Sequence, residues 1–139
     1  DAHIDSALDV LEKLAFTAKE FTVRTSGFGV FTGSKPVLYL PIIKDQNLLS
    51  LHRELWHALS QIVEKPNIYY SPENWIPHIT LVLDNLDDQL LGCAVRPLVP
   101  VNIDLEINVD HFELDYFDGE NLGAIKRLQF SRPNTAGIE

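Results

Sequence analysis

Apolar residues recur along the chain first at helical spacing. Leu8, Leu11, Leu14, Ala15 and Ala18 fall three and four positions apart, which predicts a helix from Ser6 to about Lys19. Asp5 or Ser6 supplies its N-cap, and Asp9 in the first turn complements the helix dipole. Phe21-Thr-Val-Arg24 then alternates as a strand does. In Gly27-Phe-Gly-Val-Phe-Thr-Gly33 the glycines mark a bulge or a close backbone approach, because the stretch lacks the Lys-Ser/Thr ending of a nucleotide-binding loop. Val37 to Ile43 reads as a third strand, with Pro41 placing it at a sheet edge or a strand end. The strongest apolar stripe is Leu48, Leu51, Leu55, Ala58, Leu59 and Ile62, which predicts a helix over 46 to about 63.

Lys65 to Asn74 is a loop by composition, and Trp75 to Leu83 passes from loop into strand. A helix starting between Asp84 and Asp88 carries Leu86, Leu90, Leu91, Ala94 and Val95 on its apolar face and ends near Pro97. Three strands follow: Val101 to Val109, Phe112 to Tyr116 and, after a turn at Asp118-Gly119, Ala124 to Phe130. The order is α-β-β-β, then α, then β-α-β-β-β. Both flanks run helix, strand, short strand, glycine turn at Gly33 or Gly119, and return strand, which suggests a duplicated half-domain. The strand holding Pro77-His-Ile-Thr-Leu81 has no counterpart in the first half.

Composition narrows the class. The 139 residues suit a single domain over 1–131 with a polar tail at 132–139. A chain of this length buries about two-thirds of its unfolded surface and needs no disulfide or metal to hold a core. A single cysteine, Cys93, excludes an internal disulfide and a cysteine-based zinc site. No apolar run approaches the ~20 residues of a membrane span and no signal segment opens the chain, so the expectation is a soluble, cytoplasmic monomer. The net charge of −9 argues against duplex DNA, whose affinity comes mainly from lysine and arginine, and leaves a small anionic substrate or a strand end. The chain contains no methionine, so Asp1 is not expected to be its natural beginning.

The chemistry centres on His78 and Thr80. Two positions apart on a strand, they project from one face, expected here to point inward with Ile79 on the other side. The hydroxyl suits a non-bridging phosphate oxygen, and the imidazole gives or takes a proton near neutral pH. Pro77 restrains the start of the strand and so the aim of the histidine. A His-x-Thr tripeptide alone is as well explained by a strand histidine satisfied by a neighbour.

Its surroundings carry more weight. Tyr69-Tyr70 and Trp75-Ile-Pro-His-Ile-Thr-Leu81 sit between a long amphipathic helix and a further helix with three strands. Together with Phe21-Thr-Val-Arg24, Gly27 to Gly33, Pro36-Val-Leu-Tyr-Leu-Pro41 and Leu51-His-Arg-Glu-Leu-Trp56, this resembles the two-histidine phosphoesterase superfamily, and within it the bacterial 2'-5' RNA ligase family. The resemblance implies an α+β, bilobal, pseudo-symmetric fold of antiparallel sheets flanked by helices. It also implies opening or hydrolysis of a 2',3'-cyclic or 2'-5' phosphodiester of a nucleotide or RNA end, with no metal and no cofactor. One His-x-Thr/Ser stands in each lobe, one histidine acting as base and the other as acid, while the hydroxyls hold the phosphoryl group. By residue match His78 and Thr80 are the second motif.

The first motif departs from the pattern. His3-Ile4-Asp5 has an aspartate where a hydroxyl belongs, and a carboxylate repels phosphate. His3 also stands two or three residues before its helix, against about eight for His78. The expectation is that the first motif precedes Asp1 and that this chain by itself is inactive or poorly active. Among the other candidates, Tyr69, Tyr70 and Trp75 suit base stacking, although Trp75 equally suits a core position. Arg24 and Arg127 suit a phosphate or merely an exposed strand face. His52 and His57, five apart on the long helix, do not share a face as a metal pair does. His111 opens a strand beside the repeat, and Phe28 and Phe31 read as core.

Overall fold

The computed structural model describes residues 2–82 and 86–131. Its elements are α1 (Ala2–Thr17), β1 (Phe21–Arg24), β2 (Gly29–Phe31), β3 (Val37–Pro41), α2 (Gln46–Leu59), β4 (His78–Val82), α3 (Asp88–Val95), β5 (Glu106–Val109), β6 (His111–Phe117) and β7 (Leu122–Gln129), with a 3₁₀ turn at Ile68–Tyr70. β1 pairs with β5, β2-β3-β4 form an antiparallel sheet and β6-β7 an antiparallel hairpin, so the protein is α+β with the expected element order. The expected polar tail and the end of the strand at Leu83 lie outside the described residues.

Several boundaries move for identifiable reasons. α1 begins at Ala2, so His3 and Asp5 are helical and His3-Ile4-Asp5 is no strand motif. The helix closes at Thr17, where the hydroxyl of Thr17 donates to the carbonyl of Leu14 at 3.1 Å. α2 stops at Leu59, three residues short of Ile62, the last of the apolar stripe. β5 keeps only Glu106–Val109 of the expected nine-residue strand. Pro97 and Pro100 remove two donors upstream of it, and the carbonyls of Ile103 and Leu105 accept instead from Gly27 and Thr25 at 2.9 and 3.0 Å. Pro41 ends β3, which is the central strand of its sheet and not an edge.

The chain divides into two compact units. The first combines residues 1–22, 46–74 and 108–139. Here α1 packs on β6 and β7 through Leu11, Ala15, Phe112, Leu128 and Phe130, flanked by Leu51 and Leu55 of α2. The rings of Phe112 and Phe130 meet edge to face at 4.8 Å. The second unit combines residues 23–45 and 75–107. Its buried side chains include Val23, Thr25, Leu38 and Leu40. Thr25, 1% exposed, is satisfied inside it, its hydroxyl accepting from the amide of Leu105 at 2.9 Å. Each unit therefore takes its helix from one half of the sequence repeat and its hairpin from the other.

Candidate functional site

Registry within the second unit decides which side chains share a face. Leu38 lies opposite Val82 and Leu40 opposite Ile79, so these four stand on the buried side of the sheet. Tyr39 lies opposite Thr80 and Pro41 opposite His78, which puts Tyr39, Thr80 and His78 on the other side. The ladder skips Leu81 between these pairs, a bulge that keeps Ile79 and Val82 on one face although they are three residues apart. Across β2 and β3, Gly29 faces Tyr39 and Phe31 faces Val37, adding Gly29 and Phe31 to the His78 face.

His78 and Thr80 thus share a face as their spacing requires, but it is exposed and does not point inward. The apolar partners of β3 claim Ile79 and Val82, and the polar pair is left facing out. Pro77 is buried, and its carbonyl accepts from the amide of Ile42 at 2.9 Å, which pins the start of β4. The imidazole Nδ1 of His78 lies 2.7 Å from the carbonyl oxygen of Ile76. A carbonyl oxygen only accepts, so Nδ1 carries the proton in this bond, and in the neutral imidazole Nε2 is then the nitrogen with the lone pair. Phe31 meets the imidazole edge-on at 4.9 Å and Tyr39 does so at 5.4 Å, while the two rings stack on each other at 4.0 Å. Phe31 therefore belongs to this half-buried aromatic wall and not to the buried core.

The remaining candidates separate. Trp75 is half-buried in the second unit, three residues before His78. Arg24, in the same unit, holds Asp104 through a 2.6 Å hydrogen-bonded ion pair, and that carboxylate raises the guanidinium pKa further above its ordinary value. Tyr70 belongs to the first unit, exposed on the 3₁₀ turn that Asn67 caps by accepting from the amide of Tyr69. Arg127 pairs with Glu113 across β6 and β7. His111 bonds through Nδ1 to Asp110 at 2.6 Å, which lowers the pKa of that carboxyl. Among the described residues, no three His, Cys, Asp or Glu side chains gather as a metal site, and no helix is long and apolar enough to cross a membrane.

Sequence reasoning missed Tyr39, Phe31 and the carbonyl of Ile76. Gly29, a glycine that opens a strand between Phe28 and Val30, was the available signal for them.

Comparison with known proteins agrees with this architecture. The sequence matches the 2'-5' RNA ligase superfamily over residues 1–121, and the chain belongs to that family. Membership carries a phosphoesterase-type activity on RNA or nucleotide substrates as the general class. Among solved structures, the crystal structure of TT0787 of Thermus thermophilus superimposes with a TM-score of 0.68 at 18% identity, covering 94% of this chain and 71% of that one. That likeness extends to the fold. Comparison with curated protein sequences finds no match.

Proposed function

We propose that the protein is a metal-independent phosphodiesterase acting on a 2',3'-cyclic or 2'-5' phosphodiester of a small nucleotide or RNA end. The observation that carries this is the His78 imidazole, anchored through Nδ1 and exposed with Thr80 on one strand face. Nε2 takes a proton from the attacking oxygen, or after protonation gives one to the leaving oxygen, while Thr80 donates to a non-bridging phosphate oxygen. Trp75 is assigned to stacking on the base. Arg24 is assigned to the phosphate, its guanidinium then being shared with Asp104. The net charge of −9 favours such a small ligand over a long phosphate backbone.

The test is turnover of a 2',3'-cyclic nucleotide by the full gene product in EDTA. His78→Ala is expected to lower the rate by about two orders of magnitude or more. No turnover of cyclic or 2'-5' linked substrates would sink the enzyme reading. A second reading would be favoured if the full gene carries no His-x-Thr/Ser besides the one at His78. Under it the face binds a nucleotide or RNA end without turning it over. Saturable shifts of the His78 resonances with a nucleotide monophosphate, in protein that hydrolyses nothing, are its signature.

A further inference from the structure

Gly29 opens β2 in regular antiparallel pairing with Tyr39, and its backbone is not in the left-handed region that calls for glycine. What demands the missing side chain is a ring. A Cβ built on Gly29 falls 2.5 Å from Cζ of Tyr39, 2.6 Å from its hydroxyl oxygen and 2.8 Å from Cε2. Tyr39 therefore lies flat across the backbone of its cross-strand partner, where any other residue would lift it away. So seated, it stacks on Phe31, and both rings close on the imidazole of His78.

We propose that Tyr39, seated over Gly29, is a positioning residue that holds the His78 imidazole in its Nδ1–H orientation. This rests on the reading of His78 as the acid–base group. The Ile76 carbonyl fixes one ring nitrogen but leaves rotation about the Cβ–Cγ bond opposed by a single hydrogen bond. The aromatic pair packs against the imidazole and adds contacts that a rotated ring would have to give up. Loss of that wall frees the ring to exchange tautomers, and misplaced reacting groups are costly in rate even when binding is unchanged. The contact is made by the ring of Tyr39, so its hydroxyl is dispensable.

The experiment compares Tyr39→Phe, Tyr39→Leu, Gly29→Ala and the Tyr39→Leu/Gly29→Ala double variant. Two readouts are taken on folded protein: imidazole ¹⁵N shifts of His78, and kcat against KM on a 2',3'-cyclic nucleotide. Tyr39→Phe is expected to behave as wild type. Tyr39→Leu and Gly29→Ala are each expected to shift His78 from the Nδ1–H form towards a tautomer mixture and to lower kcat about tenfold or more with KM little changed. In the double variant Gly29→Ala should add almost nothing, because the ring it displaces is gone. Unchanged His78 shifts in folded Tyr39→Leu overturn the proposal, and so does a Tyr39→Phe variant as damaged as Tyr39→Leu, which would make the hydroxyl the active part. Gly29→Ala reaches the same displacement by a second route should Tyr39→Leu fail to fold. If the wild-type protein shows no turnover, the phosphodiesterase reading fails while the ¹⁵N shifts still decide the positioning role.

Discussion

The β2-β3 and β6-β7 hairpins use one packing device for different ends. In each, a tyrosine ring covers a cross-strand glycine so closely that a Cβ would fall 2.5 Å from it: Tyr39 over Gly29, Tyr116 over Gly123. In each unit a ladder also breaks register, near Tyr39 and near Asp115. The faces differ. Tyr39 stands opposite the side that buries Leu38 and Leu40, and β4 brings His78 and Thr80 up beside it. Tyr116 stands on the side of β6 that carries Phe112 and Leu114, but it is itself 47% exposed near the hairpin tip. A glycine–tyrosine pair is thus a way of seating a ring, and the neighbouring strand decides whether that ring borders a histidine or covers only its own hairpin.

The largest effects should come from the two cores and should be alike. Leu38→Ala in the second unit and Leu128→Ala in the first remove side chains that are 2% and 7% exposed, and each is expected to cost about 2–5 kcal/mol in denaturant unfolding. Below these rank changes at the two oriented histidines, which should part company. His78→Ala carries the rate loss described above, whereas His111→Ala, whose imidazole is bound to Asp110, is expected to leave turnover within about threefold of wild type. A comparable loss at His111 would erase the functional distinction between the hairpins.

How far the sequence anticipated these two regions follows from the same geometry. Element order and most helix and strand cores were legible because apolar spacing in α1, β1 and α2 is strong. The shared face of His78 and Thr80 followed from the two-residue period of a strand. Its direction was misread because Ile79 and Val82 take the buried side through a bulge, and a bulge leaves no sign in local alternation. The aromatic wall was hidden for a similar reason: Phe31, Tyr39 and His78 meet only through the pairing of three strands. The His3-Ile4-Asp5 segment was expected before a helix, yet Asp5 stands within the first turns, where its charge favours the helix N-terminus.

A smaller effect tests the packing role of the second device. Gly123→Ala should cost about 1 kcal/mol or less, because it meets the exposed far end of Tyr116, and should leave the His78 resonances and kcat unmoved, in contrast to Gly29→Ala. Stability lost without functional change is the outcome that keeps the two glycine–tyrosine pairs distinct. A shift at His78 would show that the pairs are not separable.

The smallest expected difference is in acid. At the tip of β6-β7, Asp118 accepts from the amides of Asn121 and Glu120, and these bonds lower its pKa below the ordinary carboxylate value. At the base of β6 the hydrogen bond from His111 lowers that of Asp110. A carboxyl with a lowered folded pKa binds protons less readily in the native than in the unfolded state. Its contribution is therefore full above the unfolded value of about 4 and is lost as pH falls through the folded one. Both groups are exposed, so the loss is modest. Amide hydrogen exchange between pH 5 and 3 should show the β6-β7 tip loosening before β2-β3-β4, after correction for intrinsic rates. Asp118→Asn keeps an accepting oxygen for the two turn amides but cannot titrate, so it should flatten that pH dependence at the tip and leave the His78 face as it was. An unchanged acid response in Asp118→Asn would move its origin away from the turn to Asp110.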